Sequence, residues 1–173
     1  MVIQPLSRKD KKDVLTLLSE VTKDLKMNGI DQWDFFYPNR FLIEGDLKRS
    51  HMHGVREDGK LIGIVVLEDR ESKKHEQIDW MIKGRAAWIH RLAVYPDYQG
   101  RGLGKQLLHF AEDLAQQKGY ECLRLDVYSG NPGAIRLYEK TGYIYRGQVH
   151  YPMRKHPYFC FEKTLSFEAR KPS

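Results

Sequence analysis

The sequence is poor in cysteine and has no long apolar run. It contains two cysteines, Cys122 and Cys160, without Cys-x-x-Cys spacing, which excludes a disulfide framework and a cysteine-based zinc site. No stretch approaches the roughly 20 apolar residues that span a bilayer, and the first residues lack the apolar core of a secretion signal. The seven histidines contain no His-Glu-x-x-His pattern, so the sequence predicts no metal site. We therefore expect a cytoplasmic protein with no membrane partner.

The charge balance is basic, but the basic residues are spread along the chain. Lysine and arginine exceed aspartate and glutamate by 29 to 23, a net charge of +6, and this sign favours anionic partners such as phosphorylated cofactors or nucleic acid. The densest basic runs, Arg8 to Lys12 and Arg154 to His156, are short, so we interpret both as solvated faces. The length of 173 residues and the apolar content of 41% predict a globular protein with one domain over residues 1–173.

The spacing of apolar residues predicts a series of strands and helices. Alternation indicates strands, and apolar residues three or four apart indicate helices. The order predicts an α/β or α+β fold with a mixed sheet and helices on its faces. The predicted strands are Ile3 to Leu6, His51 to Val55, Lys60 to Glu68, Ala86 to Val94, Glu121 to Tyr128, Tyr143 to Arg146 and Tyr158 to Leu165. The predicted helices start near Val14, after Pro38, at Leu103 and at Pro132, and the charged segment Arg70 to Arg85 is predicted to be irregular.

A glycine-rich loop, Gln99-Gly100-Arg101-Gly102-Leu103-Gly104-Lys105, lies between a predicted strand and a predicted helix. Backbone N–H groups at a helix start lack intrahelical partners and attract anions, and glycine lets a phosphate approach the main chain. The dinucleotide fingerprint is excluded because its sixth position is Lys105, and the Walker A motif is excluded because Gln106 follows Lys105. The loop therefore predicts a phosphate site of another kind, to which Arg101 and Lys105 add positive charge.

The remaining pattern is Gln-x-x-Gly-x-Gly, formed by Gln99, Gly102 and Gly104 behind the strand that ends at Pro96, and with it the chain resembles the GNAT superfamily of N-acetyltransferases. A second match to the same family, Asn131 to Tyr143, follows in the expected order. The resemblance implies a mixed, mostly antiparallel sheet of about six or seven strands flanked by about four helices. It also implies acetyl-CoA as the cofactor, with its pyrophosphate on the loop amides and its pantetheine on the main chain of the preceding strand. The resulting cofactor-binding residues are Leu92, Ala93, Val94, Gln99, Gly100, Arg101, Gly102, Leu103, Gly104, Lys105, Asn131 and Ala134.

Two side chains are predicted to move protons. The resemblance directs the hydroxyl of Tyr138 at the cofactor sulfur, and a phenol of pKa about 10 can protonate a leaving thiolate near neutral pH. His90 lies two residues before Leu92, and an imidazole of pKa about 6.5 suits removal of a proton from the amine. His90 is also consistent with a packed strand residue whose ring nitrogens are satisfied locally, and Asp126 and His150 are weaker alternatives as the base. Main-chain groups near Ala93 and Val94 are expected to support the oxyanion.

The resemblance implies that the acceptor enters between two segments, residues 28–41 and 148–158, and both are aromatic. Trp33, Phe36, Tyr37, Tyr151 and Tyr158 could enclose a cationic amine through cation-π contact, or they could pack in the core.

The sequence thus predicts an acetyl-CoA-dependent N-acetyltransferase in which a primary amine attacks the thioester directly. The acceptor is a small-molecule amine or a peptide amine, and no nucleic acid partner is expected. The alternative function is a catalytically silent CoA-binding module that acts by binding or oligomerisation, and a basic nucleic-acid binder is a further rival without a recognisable motif. The sequence does not identify the amine, and it does not distinguish a monomer from a homodimer.

Overall fold

The computed structural model describes residues 1–34 and 37–166, which form a seven-stranded sheet flanked by four α-helices. The strands are β1 (Ile3–Pro5), β2 (Met52–Glu57), β3 (Lys60–Glu68), β4 (Ala86–Val94), β5 (Cys122–Tyr128), β6 (Ile144–Val149) and β7 (Tyr158–Thr164). The helices are α1 (Lys11–Met27), α2 (Arg40–Lys48), α3 (Leu103–Gln117) and α4 (Pro132–Lys140). The predicted α/β (α+β) fold, with a mixed and mostly antiparallel sheet, is confirmed. None of the helices in the described residues is both long and apolar enough to cross a bilayer.

The sheet has the strand order β1-β2-β3-β4-β5-β7-β6. Neighbouring strands are antiparallel except β4 and β5, which are parallel. That parallel pairing begins at Ala86 and Cys122 and ends at Trp88 and Arg124, although both strands continue further. The second half of β4 therefore has a strand partner on the β3 side only, and a gap opens in the middle of the sheet.

Apolar side chains alternate between the two faces of the sheet, because successive residues of a strand point to opposite sides. On one face Val65, Leu67 and Ile89 pack with the apolar stripe of α3 and with α4. On the other face Ile64 and Val66 pack with α1 and α2. Helices α3 and α4 thus cover the first face, whereas α1 and α2 cover only part of the second face, over β3 and the adjoining parts of β2 and β4.

The segment between β3 and β4, residues 69–85, covers the rest of the second face. Ile78 and Trp80 pack in a cluster with Trp88 of β4, and the Trp80 and Trp88 rings meet edge to face with centroids 5.4 Å apart. The segment is irregular as predicted, apart from a 3-10 turn at Lys73–His75. It acts as a lid over the polar side of β4 and β5, which the sequence did not reveal.

A buried ion pair fastens this segment to the sheet. Nε of Arg124 on β5 lies 3.1 Å from Oε2 of Glu162 on β7, and both side chains are almost inaccessible to solvent. The Arg124 guanidinium also donates to the carbonyl of Ile82 at 2.6 Å, and Oε1 of Glu162 accepts from the N–H of Met81 at 2.8 Å. The segment therefore has a defined position, because these buried charges are satisfied by its backbone.

The prediction of a solvated basic face at residues 154–156 is wrong for Arg154. Its side chain is 10% exposed, and its guanidinium lies 3.4 Å from Oδ1 of Asp31 and 3.1 Å from Oδ2 of Asp34. Lys155 and His156 are exposed as predicted. Arg154 thereby links the loop between β6 and β7 to the loop between α1 and α2. The two loops are adjacent in space although they are distant in sequence.

Candidate active site

A cleft of about 970 Å³ lies where β4 and β5 separate. Its walls include the second half of β4, from Ile89 to Val94, together with Asp126 and Val127 of β5. The glycine-rich loop, α4 and the loop between α1 and α2 complete the lining. One continuous cleft therefore joins the predicted phosphate loop to the predicted acceptor side.

The main chain of β4 presents free groups to this cleft. The N–H of Tyr95 donates to the carbonyl of Ile62 at 2.8 Å, so alternation turns the N–H and C=O groups of Val94 and Leu92 away from β3 and toward the gap. The carbonyl of Val94 accepts a hydrogen bond from Nε2 of Gln99 at 3.1 Å. The groups turned to the gap include the Val94 N–H and the Leu92 main chain, and they suit the amide groups of pantetheine.

A β-bulge interrupts β4 between its two halves. Arg91 has a φ of +46°, and His90 pairs with Val66 whereas Ala93 pairs with Ile64, so an extra residue is accommodated in β4. A non-glycine residue in the left-handed region is under strain. The bulge redirects the strand away from β5 and helps to open the cleft.

The glycine-rich loop ends in a helix whose first amides have no protein partner. The first helical hydrogen bond runs from the N–H of Gln106 to the carbonyl of Gly102 at 3.1 Å, and no side chain caps α3 within the described residues. Gly100 and Gly102 have φ of +74° and +81°, a region that favours glycine. The amides of Leu103, Gly104 and Lys105 thus remain available for a bound anion.

These features fit the diphosphate of coenzyme A. Lys105 lines the cleft beside the amides, so its ammonium adds to the positive helix end. Arg101 does not line the cleft; its guanidinium lies 5.1 Å from the Tyr98 ring centroid at the exposed rim. Leu103 is buried in the core and anchors the helix start. Eleven of the twelve predicted cofactor residues line the cleft, and Arg101 is the exception.

Tyr138 lies on α4 and lines the cleft. Its ring packs edge to face on Tyr143, with centroids 5.8 Å apart, and contacts Phe161. The residue is 7% exposed, and burial raises the pKa of Tyr138 above that of an ordinary tyrosine. The hydroxyl therefore keeps its proton throughout the neutral range.

Asn131 lines the cleft, but its side chain is engaged by the protein. Its Oδ1 caps α4 by accepting from the N–H of Ala134 at 3.1 Å, and its Nδ2 donates to Oε1 of Gln32 at 2.7 Å. The cap organises the start of α4, and the second bond ties α4 to the loop between α1 and α2. Any contact between Asn131 and a cofactor therefore adds to a structural role.

His90 lines the cleft on β4 and has an acidic partner. Its Nε2 lies 3.1 Å from Oε1 of Glu68 on β3, and this close contact, partly offset by burial, lowers the pKa of Glu68. Glu68 is therefore a carboxylate that orients the imidazole with Nε2 protonated. Nδ1 is then the nitrogen that can accept a proton.

One set of three groups among the described residues has donor atoms within 4.8 Å of one another: Asp46, His51 and Glu68. The guanidinium of Arg91 lies 2.7 Å from Oδ2 of Asp46, and that of Arg49 lies 3.6 Å from Oδ1. Two guanidinium groups thus already neutralise the Asp46 carboxylate and would repel a metal ion there. The set is better described as part of an ion-pair network.

The predicted acceptor residues are distributed between the cleft and its walls. Trp33 and Tyr37 line the cleft, as does Tyr158. Trp33 is 5% exposed and also packs with α1 and α2, and the Tyr37 hydroxyl accepts from Arg91 at 3.3 Å. Tyr151 does not line the cleft; its hydroxyl instead donates to Asp126. Phe36 lies outside the described residues.

The structure gives Asp126 and His75 a more important place at the site than the sequence predicts. Asp126 projects from the apolar strand β5 into the cleft, and its Oδ2 lies 2.8 Å from Nε2 of His75. A charged residue within the run Leu125 to Val127 is a signal that could have singled it out. His75 gives no such signal, because it belongs to the irregular segment between β3 and β4.

A sheet that opens between two parallel strands, beside a helix start with free amides and a buried phenol, defines an enzyme that uses an acyl-CoA thioester. Residues 18–143 match the acetyltransferase (GNAT) family, and the chain belongs to this family. The protein is therefore an N-acetyltransferase with acetyl-CoA as its donor. This confirms the predicted family, cofactor and enzyme class.

Individual relatives agree with this assignment. The chain is 25% identical over 168 residues to the uncharacterized N-acetyltransferase YesJ of Bacillus subtilis, covering 95% of this chain and 90% of the relative. It is 29% identical over 116 residues to a spermine/spermidine N(1)-acetyltransferase of Bacillus subtilis, covering 61% of this chain and 69% of the relative. The fold is similar to that of a PaiA N-acetyltransferase from Thermoplasma acidophilum in complex with coenzyme A, with a TM-score of 0.71, 23% identity, and coverage of 94% of this chain and 98% of that chain.

Proposed function

We propose that the protein acetylates a primary amine by direct attack of the amine on acetyl-CoA, with both substrates bound in the one cleft. The observation that carries this proposal is the continuity of the cleft, which runs from the free amides of α3, past Val94 and Tyr138, to the aromatic acceptor side. When bound, acetyl-CoA supplies an activated thioester whose sulfur departs as a thiolate. The relative that acts on spermine and spermidine supports an amine as the acceptor.

The cofactor side of the cleft binds and orients the thioester. The amides of residues 103–105 and the Lys105 ammonium hold the diphosphate, since oriented N–H groups and positive charge complement an anion. The main chain of Leu92 and Val94 fixes the pantetheine, and the Val94 N–H also supports the carbonyl oxygen as it becomes negative. Tyr138 donates its hydroxyl proton toward the departing sulfur.

The acceptor side of the cleft removes a proton from the amine. His90 accepts this proton at Nδ1, because Glu68 holds the opposite nitrogen at 3.1 Å and stabilises the imidazolium that forms. Since a protonated amine has no lone pair for attack, this step must precede or accompany bond formation. His90 on β4 and Tyr138 on α4 thus act as base and acid within the same cleft.

An acetylated enzyme is not expected, because neither cysteine can serve as a nucleophile. Cys122 and Cys160 are both fully buried. Burial raises the pKa of Cys122 to about 11 and that of Cys160 to about 12. The thiolate is the reactive form, so these thiols are inert at neutral pH, which favours direct passage of the acetyl group to the amine.

We therefore expect kinetics of a ternary complex. Thiol release from acetyl-CoA would be measured with a panel of primary alkylamines while both substrate concentrations are varied. Double-reciprocal plots should intersect, and the intact mass of protein incubated with acetyl-CoA alone should show no acetyl adduct. Parallel plots together with an acetylated protein would contradict direct attack. Binding of CoA without thiol release on any amine would instead favour the silent CoA-binding module.

A further inference from the structure

We propose that Asp126 is the anchor for the acceptor, and that the acceptor is an unbranched alkylamine which enters the cleft as an ammonium ion. This inference rests on the proposed acetyl transfer and names the substrate class for it. The carboxylate of Asp126 would hold the charged amine near His90 until its proton is removed. Sequence considerations gave Asp126 only as an alternative base.

The geometry of Asp126 leaves one oxygen free for a ligand. Oδ2 receives two hydrogen bonds, from Nε2 of His75 at 2.8 Å and from the Tyr151 hydroxyl at 2.6 Å. No partner for Oδ1 occurs among residues 1–34 and 37–166. The side chain is 15% exposed, and what is exposed faces the cleft. A carboxylate that is rigidly held by one oxygen and open at the other is suited to bind a cation.

Two other carboxylates near the acceptor side of the cleft, those of Asp46 and Glu68, already have charged or basic partners. Asp46 lies 2.7 Å from Arg91 and 3.6 Å from Arg49, and Glu68 is held by His90 at 3.1 Å. Asp126, by contrast, has no lysine or arginine within ion-pair distance in the described part of the chain. A buried carboxylate without a permanent counter-ion is costly, and a cationic substrate would supply that charge.

The environment of Asp126 favours an anchor over a base. Burial alone would raise the pKa of Asp126, but hydrogen bonds from His75 and Tyr151 outweigh this effect and lower it. A carboxylate with a lowered pKa stays ionised and has little tendency to take a proton from an ammonium ion. Proton removal therefore falls to His90, which lines the same cleft.

Tyr158 lines the cleft near Asp126, and Tyr151 packs behind it. The Tyr151 and Tyr158 rings meet edge to face with centroids 4.8 Å apart, and the Tyr158 hydroxyl donates to the carbonyl of Gln32 at 3.2 Å. Ion pairs of Arg154 with Asp31 and Asp34 join the same two loops. Aromatic faces stabilise alkylammonium ions, and loops joined across the acceptor side favour a slender substrate over a folded protein surface.

The test replaces Asp126 with asparagine, which keeps the shape and the ability to accept from His75 and Tyr151. We expect kcat/KM for 1,3-diaminopropane to fall by about 30-fold or more, mainly through KM, since removing one partner of a buried charge pair has effects of this size. The substitution should also lower kcat/KM for ethylamine at least about tenfold more than it lowers kcat/KM for 2,2,2-trifluoroethylamine. The two amines are close analogues, but trifluoroethylamine is uncharged at neutral pH. Asp113→Asn, an exposed residue of α3 outside the cleft, is the control of equal charge and should leave both values unchanged.

The affinity for CoA separates failure of this inference from failure of the proposed function. Asp126→Asn should bind CoA as the wild type does. If the wild type bound CoA but acetylated no alkylamine, or acetylated only a peptide N-terminus, the assignment of the substrate class would be overturned. If kcat/KM fell equally for ethylamine and trifluoroethylamine, Asp126 would have only a structural role and the proposal would be overturned. If Asp126→Asn fails to fold, Tyr151→Phe provides the test: it should raise KM several-fold for the charged amine only, and no change would overturn the proposal.

Discussion

Replacement of Tyr138 by phenylalanine is expected to lower kcat by about 100-fold, with little change in the affinity for acetyl-CoA. The substitution removes one oxygen from a ring that is already buried against Tyr143 and Phe161, so the fold should persist. The loss should lie at the lower end of the range for general acids, because burial raises the pKa of Tyr138 and makes complete proton transfer to sulfur less favourable. Thiol release at saturating acetyl-CoA and amine would measure it.

The control for this substitution is Tyr145→Phe. Tyr145 lies on β6, is 49% exposed and also contacts Phe161, but it does not line the cleft. Its loss of a hydroxyl should leave kcat within about twofold. Because the pKa of Tyr138 is raised, the wild type should also show no decline in kcat near pH 10, where an ordinary tyrosine ionises. If Tyr138→Phe kept full activity, Tyr138 would not be the general acid.

Replacement of Gly104 by aspartate is expected to weaken acetyl-CoA binding by about 100-fold, while the free protein becomes no less stable. A Cβ at this position would lie 3.5 Å from Cδ2 of Leu137 and 3.9 Å from Cγ2 of Val94, which are ordinary contacts. An aspartate in the first turn of a helix stabilises the helix by about 0.3–1 kcal/mol. The same charge beside the diphosphate is repulsive, and about 2.7 kcal/mol of repulsion corresponds to the 100-fold loss.

Weaker binding of acetyl-CoA without a loss of stability is the result expected only if an anion binds beside Gly104. Kd for acetyl-CoA would be measured by calorimetry, and the free energy of unfolding by urea denaturation. Gln117→Glu, which adds the same charge at the exposed far end of α3, should leave Kd within about twofold. A Gly104→Asp protein that binds acetyl-CoA normally would show that the diphosphate does not rest on these amides.

The cofactor half of the site could be predicted from the sequence because its elements are contiguous. Alternating residues of β4, the glycines and the apolar stripe of α3 follow one another directly, so the change from strand to helix marks the loop. Tyr138 could be placed for the same reason, since Asn131 and Gly142 bound its short helix. Local sequence patterns suffice where one segment builds the whole feature.

The acceptor half could not be predicted in the same way, because it is assembled from distant segments. His75 and Asp126 are 51 residues apart, and Arg154 and Asp31 are 123 residues apart. Nothing in the periodicity of residues 69–85 indicates that they cover β4 and β5. The bulge at Arg91 is equally hidden, because it depends on pairing between β3 and β4 and not on glycine.

A crystal structure of the protein with CoA would test most directly whether the opened sheet and the start of α3 hold the cofactor. Diphosphate oxygens are expected within about 3.5 Å of the N–H groups of residues 103–105. The pantetheine amides should bind the main chain of Leu92 and Val94, with the sulfur beside the Tyr138 hydroxyl. A CoA molecule whose diphosphate lies away from α3, with its sulfur remote from Tyr138, would rule out this binding mode.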